Sequence, residues 1–285
     1  MFKKILLFLI WFNYCCGQVP NTDLWLFPIK KEKEKYLIEK GENITNRDGY
    51  DNQPSFSEDN KRIYYVSIRQ DKQADMYVYE ISGKKNTQLT KTVESEYSPV
   101  FINSDKSINS VVVEKDSTQR IWLYDEKTGA QKKILFDEDS VGYYNFLNAD
   151  TVLYYKLTKP HSLRAHCISS GKDVLISDNP IRGFKTINRH EFIFGRKDSA
   201  KVIFYVYNTL LQKAKLYCEY NSLNEDILWH PLWGLLKSEQ TAILRFDEKQ
   251  NKWLTLFDFS VYKISKITRF DFDLKNKRIV VVNNL

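Results

Sequence analysis

The chain has 285 residues, of which 14% are aromatic and only seven are proline, so it is long enough for one sizeable core and shows no linker between domains. Its formal charge of +7 is spread over 43 basic and 36 acidic residues. A nucleic-acid surface would need a basic stripe interleaved with aromatics, whereas the densest run, "KKEKEKY" at residues 30–36, is broken by acids and reads as a solvated turn.

In chain order, residues 1–17 read as a signal peptide: Lys3 and Lys4 precede an apolar run at residues 5–12, and Cys15 and Gly17 suit a cleavage site before Gln18. That run is far short of the ~20 apolar residues a permanent membrane span needs. Asn13 and Tyr14 stand where a lipoprotein signal carries Leu and small residues. Cleaved export to the periplasm is therefore favoured over a lipid anchor at Cys15 or Cys16, which would tether the protein to the outer membrane. Residues 18–285 then form one domain. Residues 22–29, "TDLWLFPI", have the look of a strand, with a second strand around residues 36–38 and a closing "NIT" at residues 43–45. Asn43-Ile44-Thr45 also fits a glycosylation sequon, but the same Leu/Ile-Thr ending recurs at Leu89-Thr90.

Residues 53–57 form the next strand, and Glu58, Asp59, Asn60 and Lys61 turn it. "RIYYVSI" at residues 62–68 is nearly all apolar, β-branched or aromatic, as expected of a strand covered on both faces. A third strand at residues 75–81 turns at Ser82, Gly83 and Lys84 into a fourth around Gln88 and Leu89. The pattern then repeats. Pro54 and Phe56 recur 45 positions on as Pro99 and Phe101, Met76 and Tyr79 as Ile121 and Tyr124, and Leu89 as Ile134. Several short strands at this period are the signature of propeller blades. Clear strands continue at residues 150–157 and 173–177, 191–195 and 201–208, and 241–247 and 253–259. Finally, residues 270–282 align with residues 54–66 at a constant offset of 216, pairing Phe56 with Phe272, Asn60 with Asn276 and Ile63 with Ile279. Head and tail are thus expected to share one blade. The count is six blades of four antiparallel strands, an all-β six-bladed β-propeller.

The order "QPSFSEDNKRIYYVS", "ADMYVYEI", "TQLT" resembles the WD-like repeat of the TolB propeller family, with Asn60 and Glu58 departing from its usual glycine and proline. The resemblance implies a propeller that docks envelope protein partners. It also implies an extra N-terminal domain, which the expected blade one, starting just after the signal, leaves no room for. Some polyuronide lyases of similar fold hold a metal in the channel with several histidines; here His230 alone is expected to face the channel, and His161, His166 and His190 fall elsewhere. No Gly-x-Ser-x-Gly elbow and no Gly-rich phosphate loop occur. The expectation is a non-catalytic protein without metal or cofactor. Cys167 and Cys218, in adjacent blades, are expected to be separate thiols.

Function is expected at the loops from each outer strand to the next inner strand, which gather round the channel mouth and are held by a rigid scaffold. They carry Tyr50, Asp51, Glu96, Tyr97, Tyr143, Tyr144, Arg182, Trp229, His230 and Arg269, and Tyr, Trp and Arg dominate binding hot spots. The expected partner of this monomer is an envelope protein, with a glycan or peptide as the alternative ligand and a propeller lyase or hydrolase as a more distant one.

Overall fold

The computed structural model describes residues 19–102, 106–221 and 225–285. The expected signal peptide, with Cys15 and Cys16, lies outside the described residues. Strands β1 (Thr22–Glu32), β2 (Lys35–Ile38) and β3 (Glu42–Asn43) come first. The "KKEKEKY" run is the exposed tip of the β1–β2 hairpin. The side chain of Asn43 ties the end of this segment down, its amide donating to Asp23 Oδ2 at 2.7 Å and its oxygen accepting from the backbone of Asn46 at 2.7 Å.

Four-stranded meanders follow. Blade two is β4 (Tyr50–Phe56), β5 (Arg62–Ile68), β6 (Ala74–Glu80) and β7 (Lys85–Gln88); blade three is β8 (Ser95–Ile102), β9 (Ser107–Val113), β10 (Gln119–Asp125) and β11 (Gln131–Ile134). Blade four comprises β12 (Val141–Asn148), β13 (Thr151–Lys156), β14 (Ser162–Cys167) and β15 (Asp173–Asp178). Blade five holds β16 (Pro180–Asn188), β17 (Glu191–Asp198), β18 (Lys201–Asn208) and β19 (Lys213–Tyr220), and blade six β20 (Ile227–His230), β21 (Gly234–Glu239), β22 (Ala242–Asp247) and β23 (Lys252–Asp258). The chain ends with β24 (Ile267–Phe272) and β25 (Arg278–Asn284).

These last two strands complete blade one. β25 pairs antiparallel with β1 over seven residues, from Thr22 opposite Asn284 to Pro28 opposite Arg278, so Leu26 faces Val280 and Trp25 faces Val281. The ring is closed without a covalent link, and both of the edges that the free ends would have exposed are paired.

Among the described residues, six apolar clusters fill the six seams between neighbouring blades. Leu24, Leu26, Val280 and Val282 of blade one meet Ile63 and Tyr65 of blade two. Tyr64 and Met76 meet Phe101 and Tyr124 of blade three. Tyr64 and Tyr65 are adjacent on β5 and therefore point to opposite faces, one into each seam, which explains the unbroken apolar run of that strand. At the closing seam Phe27 packs edge-on against Phe259 at 4.9 Å and beside Ile279 and Val281. No helix occurs among the described residues, so none is long and apolar enough to cross a membrane. Cys167 and Cys218 are free thiols.

Candidate site at the channel mouth

The residues expected on mouth loops lie within inner strands, save that Tyr50 and His230 stand at strand ends. The inner strands begin earlier than their apolar pattern because polar residues at their start still pair with the second strand: Asp51 with Ser67, Glu96 with Val112, Arg269 with Val282. Strand geometry then splits each adjacent pair, since successive side chains point to opposite faces.

Tyr50 packs into no seam cluster, Tyr97 and Tyr143 are half-buried at the margins of the seams on either side of blade four, and their partners in sequence are buried in the blades. Asp51 is fully buried and its Oδ2 accepts from Arg47 Nη1 at 3.0 Å. Glu96, also fully buried, accepts from the hydroxyls of Thr90 at 3.0 Å, Tyr124 at 3.3 Å and Thr92. Tyr144 donates across the seam to the carbonyls of Asn109 at 2.7 Å or Ser98 at 3.0 Å. Trp229 packs edge-on to Tyr217 at 5.9 Å in the seam between blades five and six. His230 does not face the channel: it is buried, stacked on Trp233 at 4.1 Å and hydrogen-bonded to Asn276 at 2.7 Å. Asp51, Glu96, Tyr144, Trp229 and His230 are thus parts of the scaffold.

Tyr50, Tyr97, Tyr143, Arg182 and Arg269 do converge. The phenol of Tyr50 lies within electrostatic reach of Arg269, Tyr97, Tyr143 and Arg182, and burial raises it above the usual tyrosine value, which keeps its hydroxyl protonated as a donor. Tyr143 is flanked by two guanidinium groups, Arg269 at 5.8 Å and Arg182 at 5.9 Å from its ring centre. Sequence reasoning missed the sixth member, Asp226, which sits just before β20. Its Oδ2 accepts from Arg182 Nη2 at 2.9 Å, and its Oδ1 lies 3.6 Å from Arg269 Nε. One side chain from each blade thereby forms a ring: Tyr50, Tyr97, Tyr143, Arg182, Asp226 and Arg269. The signal available in the sequence was the acidic pair Glu225-Asp226 directly ahead of the apolar Ile227 and Leu228, three residues earlier than Trp229.

Beneath the ring lies a cavity of roughly 200 Å³ whose lining includes Lys185, Asp271 and Gly183. Gly183 permits the close contact of blades five and six, because a Cβ there would stand 2.2 Å from the carbonyl oxygen of Glu225. That approach lets the Arg182 amide donate to Glu225 Oε2 at 3.1 Å, while Lys197 pairs with the other oxygen.

The buried Glu96 makes a stability prediction. Burial pushes its carboxyl up from 4.5 to about 7 against the pull of its hydroxyl partners. The folded chain therefore keeps a proton that the unfolded chain loses, and stability falls as pH rises from 4.5 to about 7. Glu96→Gln is expected to gain on the order of 1–3 kcal/mol in urea unfolding at about pH 8 and nothing at about pH 4. An equal effect at both values would contradict the assignment.

Among the described residues no group of three His, Cys, Asp or Glu could hold a metal ion. The cavity below the ring is lined by three cations, Arg182, Lys185 and Arg269, against three carboxylates, Glu225, Asp226 and Asp271, and no histidine; Glu225 and Asp226 are already paired with Lys197 and Arg182.

Solved structures share this architecture at low identity. TolB from Acinetobacter baumannii aligns with a TM-score of 0.50 at 13% identity over 64% of this chain and 48% of its own, so this chain spans about half the length of that protein. A protein assigned as TolB from Agrobacterium tumefaciens aligns with a TM-score of 0.67 at 10% identity over 93% of this chain and 99% of its own. An oligogalacturonate lyase in complex with manganese aligns with a TM-score of 0.58 at 10% identity over 88% and 82%. No protein-family model and no curated protein matches the sequence. The chain folds as a TolB-like six-bladed β-propeller.

Proposed function

We propose that this protein is an exported binding propeller of the bacterial cell envelope that docks a protein partner on its channel mouth and carries no catalysis of its own. The observation that supports this most is the six-residue ring, in which every blade contributes one Tyr, Arg or Asp at the same end of its inner strand. Three tyrosines and two arginines offer a large amphipathic contact area with polar tips, the chemistry of protein hot spots. Scaffold hydrogen bonds and seam packing hold the inner strands, so little ordering entropy opposes docking. Export rests on the residue pattern of residues 1–17.

A photo-crosslinking side chain placed at position 50 in intact cells tests the proposal. It is expected to capture one discrete envelope protein, identified by mass spectrometry, whereas the same group at Thr87 on the exposed outer strand β7 should not. Equal capture from both positions, or none from position 50, would overturn it.

A further inference from the structure

Charges around the cavity beneath the ring are unevenly satisfied. Glu225 and Asp226 are taken by Lys197 and Arg182. Lys185 makes no hydrogen bond or ion pair within 4 Å among the described residues, although it lines the cavity and burial lowers its ammonium from the usual lysine value. Arg269 makes no side-chain hydrogen bond among them either; its 3.6 Å contact to Asp226 Oδ1 is too long for one. Against these two cations stands Asp271, one of whose oxygens already accepts from the backbone N–H of Phe56 at 2.9 Å.

The remaining balance is one surplus positive charge, with two sets of unspent donors: the Lys185 ammonium and the Arg269 guanidinium. We propose that this cavity is a carboxylate-binding pocket, and that the docked partner inserts a single carboxylate through the tyrosine ring to meet Lys185 and Arg269. The inference rests on the docking reading and names the group recognised. A guanidinium fork can hold either a carboxylate or a phosphate through two oxygens, but a carboxylate fits better because one surplus positive charge matches a monoanion and the Asp271 carboxylate lining the pocket would repel a dianion. The roughly 200 Å³ of space suits one side chain or one chain end. The carboxylate has two sources, an Asp or Glu side chain or the C-terminus of the partner.

Three capped tripeptides distinguish these sources when titrated onto the full-length protein by calorimetry: acetyl-Ala-Ala-Glu-amide, acetyl-Ala-Ala-Ala with a free carboxylate, and acetyl-Ala-Ala-Gln-amide. One of the first two is expected to bind saturably and at least about ten-fold more tightly than the third. Lys185→Met and Arg269→Met, each verified as folded by its thermal transition, should abolish that difference. Equal affinity for the Glu and Gln peptides, no binding by any peptide, or saturable binding of inorganic phosphate in their place would overturn the pocket. Crosslinking from position 50 reads docking separately. A captured partner with silent peptides removes the carboxylate inference alone, and peptide binding without a captured partner removes the docking reading and leaves the pocket.

Discussion

Deleting residues 278–285 is expected to abolish cooperative folding. The deletion removes Ile279, Val280, Val281 and Val282, each with no exposed surface. At about 1.5–3 kcal/mol for each buried branched side chain, their loss is on the order of 6–12 kcal/mol, comparable with the ~5–15 kcal/mol that holds a typical domain together. It also leaves β1 and β24 without their shared partner and exposes two sheet edges, which invites association between chains. A milder substitution grades the same seam. Leu24→Ala, at a fully buried position packed against Val280 and Val282, should cost about 2–5 kcal/mol while leaving a single sharp transition. Circular dichroism against temperature reads both. A truncated chain that still melts sharply within a few degrees of the intact one would show that closure contributes little.

The second large effect concerns the mouth. Tyr50→Ala combined with Arg269→Ala should weaken capture of the partner by roughly a thousand-fold, since two hot-spot residues each contribute about 2 kcal/mol or more. Stability should change little, because Tyr50 belongs to no seam cluster and the Arg269 side chain makes no hydrogen bond among the described residues. Asp226 keeps its 2.9 Å bond to Arg182 in the double variant, so no carboxylate is stranded without a partner. Immobilised variant and parent protein, each presented with the crosslinked partner once purified, give the comparison. Unchanged affinity would place docking elsewhere on the propeller.

Much of this architecture was legible residue by residue. The 45-residue spacing from Pro54 and Phe56 to Pro99 and Phe101 marks equivalent inner strands, β4 and β8. The offset of 216 between the chain ends marks the shared blade, in which Leu26 lies opposite Val280. Both signals survive because seams between blades demand apolar side chains at fixed intervals, and those demands are local to each strand. The site was legible only by neighbourhood. Tyr50, Tyr97, Tyr143, Arg182 and Arg269 were within view, yet each tyrosine came with a neighbour that serves the scaffold, and His230 was placed in the channel when it packs against Trp233.

The linear order of residues determined that this protein repeats a four-stranded unit, how many units there are, and that its two ends belong to one of them. Only the folded ring decided which of two adjacent residues faces the channel, and that Asp226 rather than Trp229 stands for blade six. The physical reason is that strand side chains alternate with a period of two, so a shift of one residue in pairing exchanges the two faces. Here that pairing is shifted by bulges after Asn52 and Tyr97, with Gln53 and Ser98 at positive φ. Ser98 is anchored there by its backbone N–H, which donates a hydrogen bond to Gln53 Oε1 of the neighbouring blade at 2.6 Å, a contact between positions far apart in the chain.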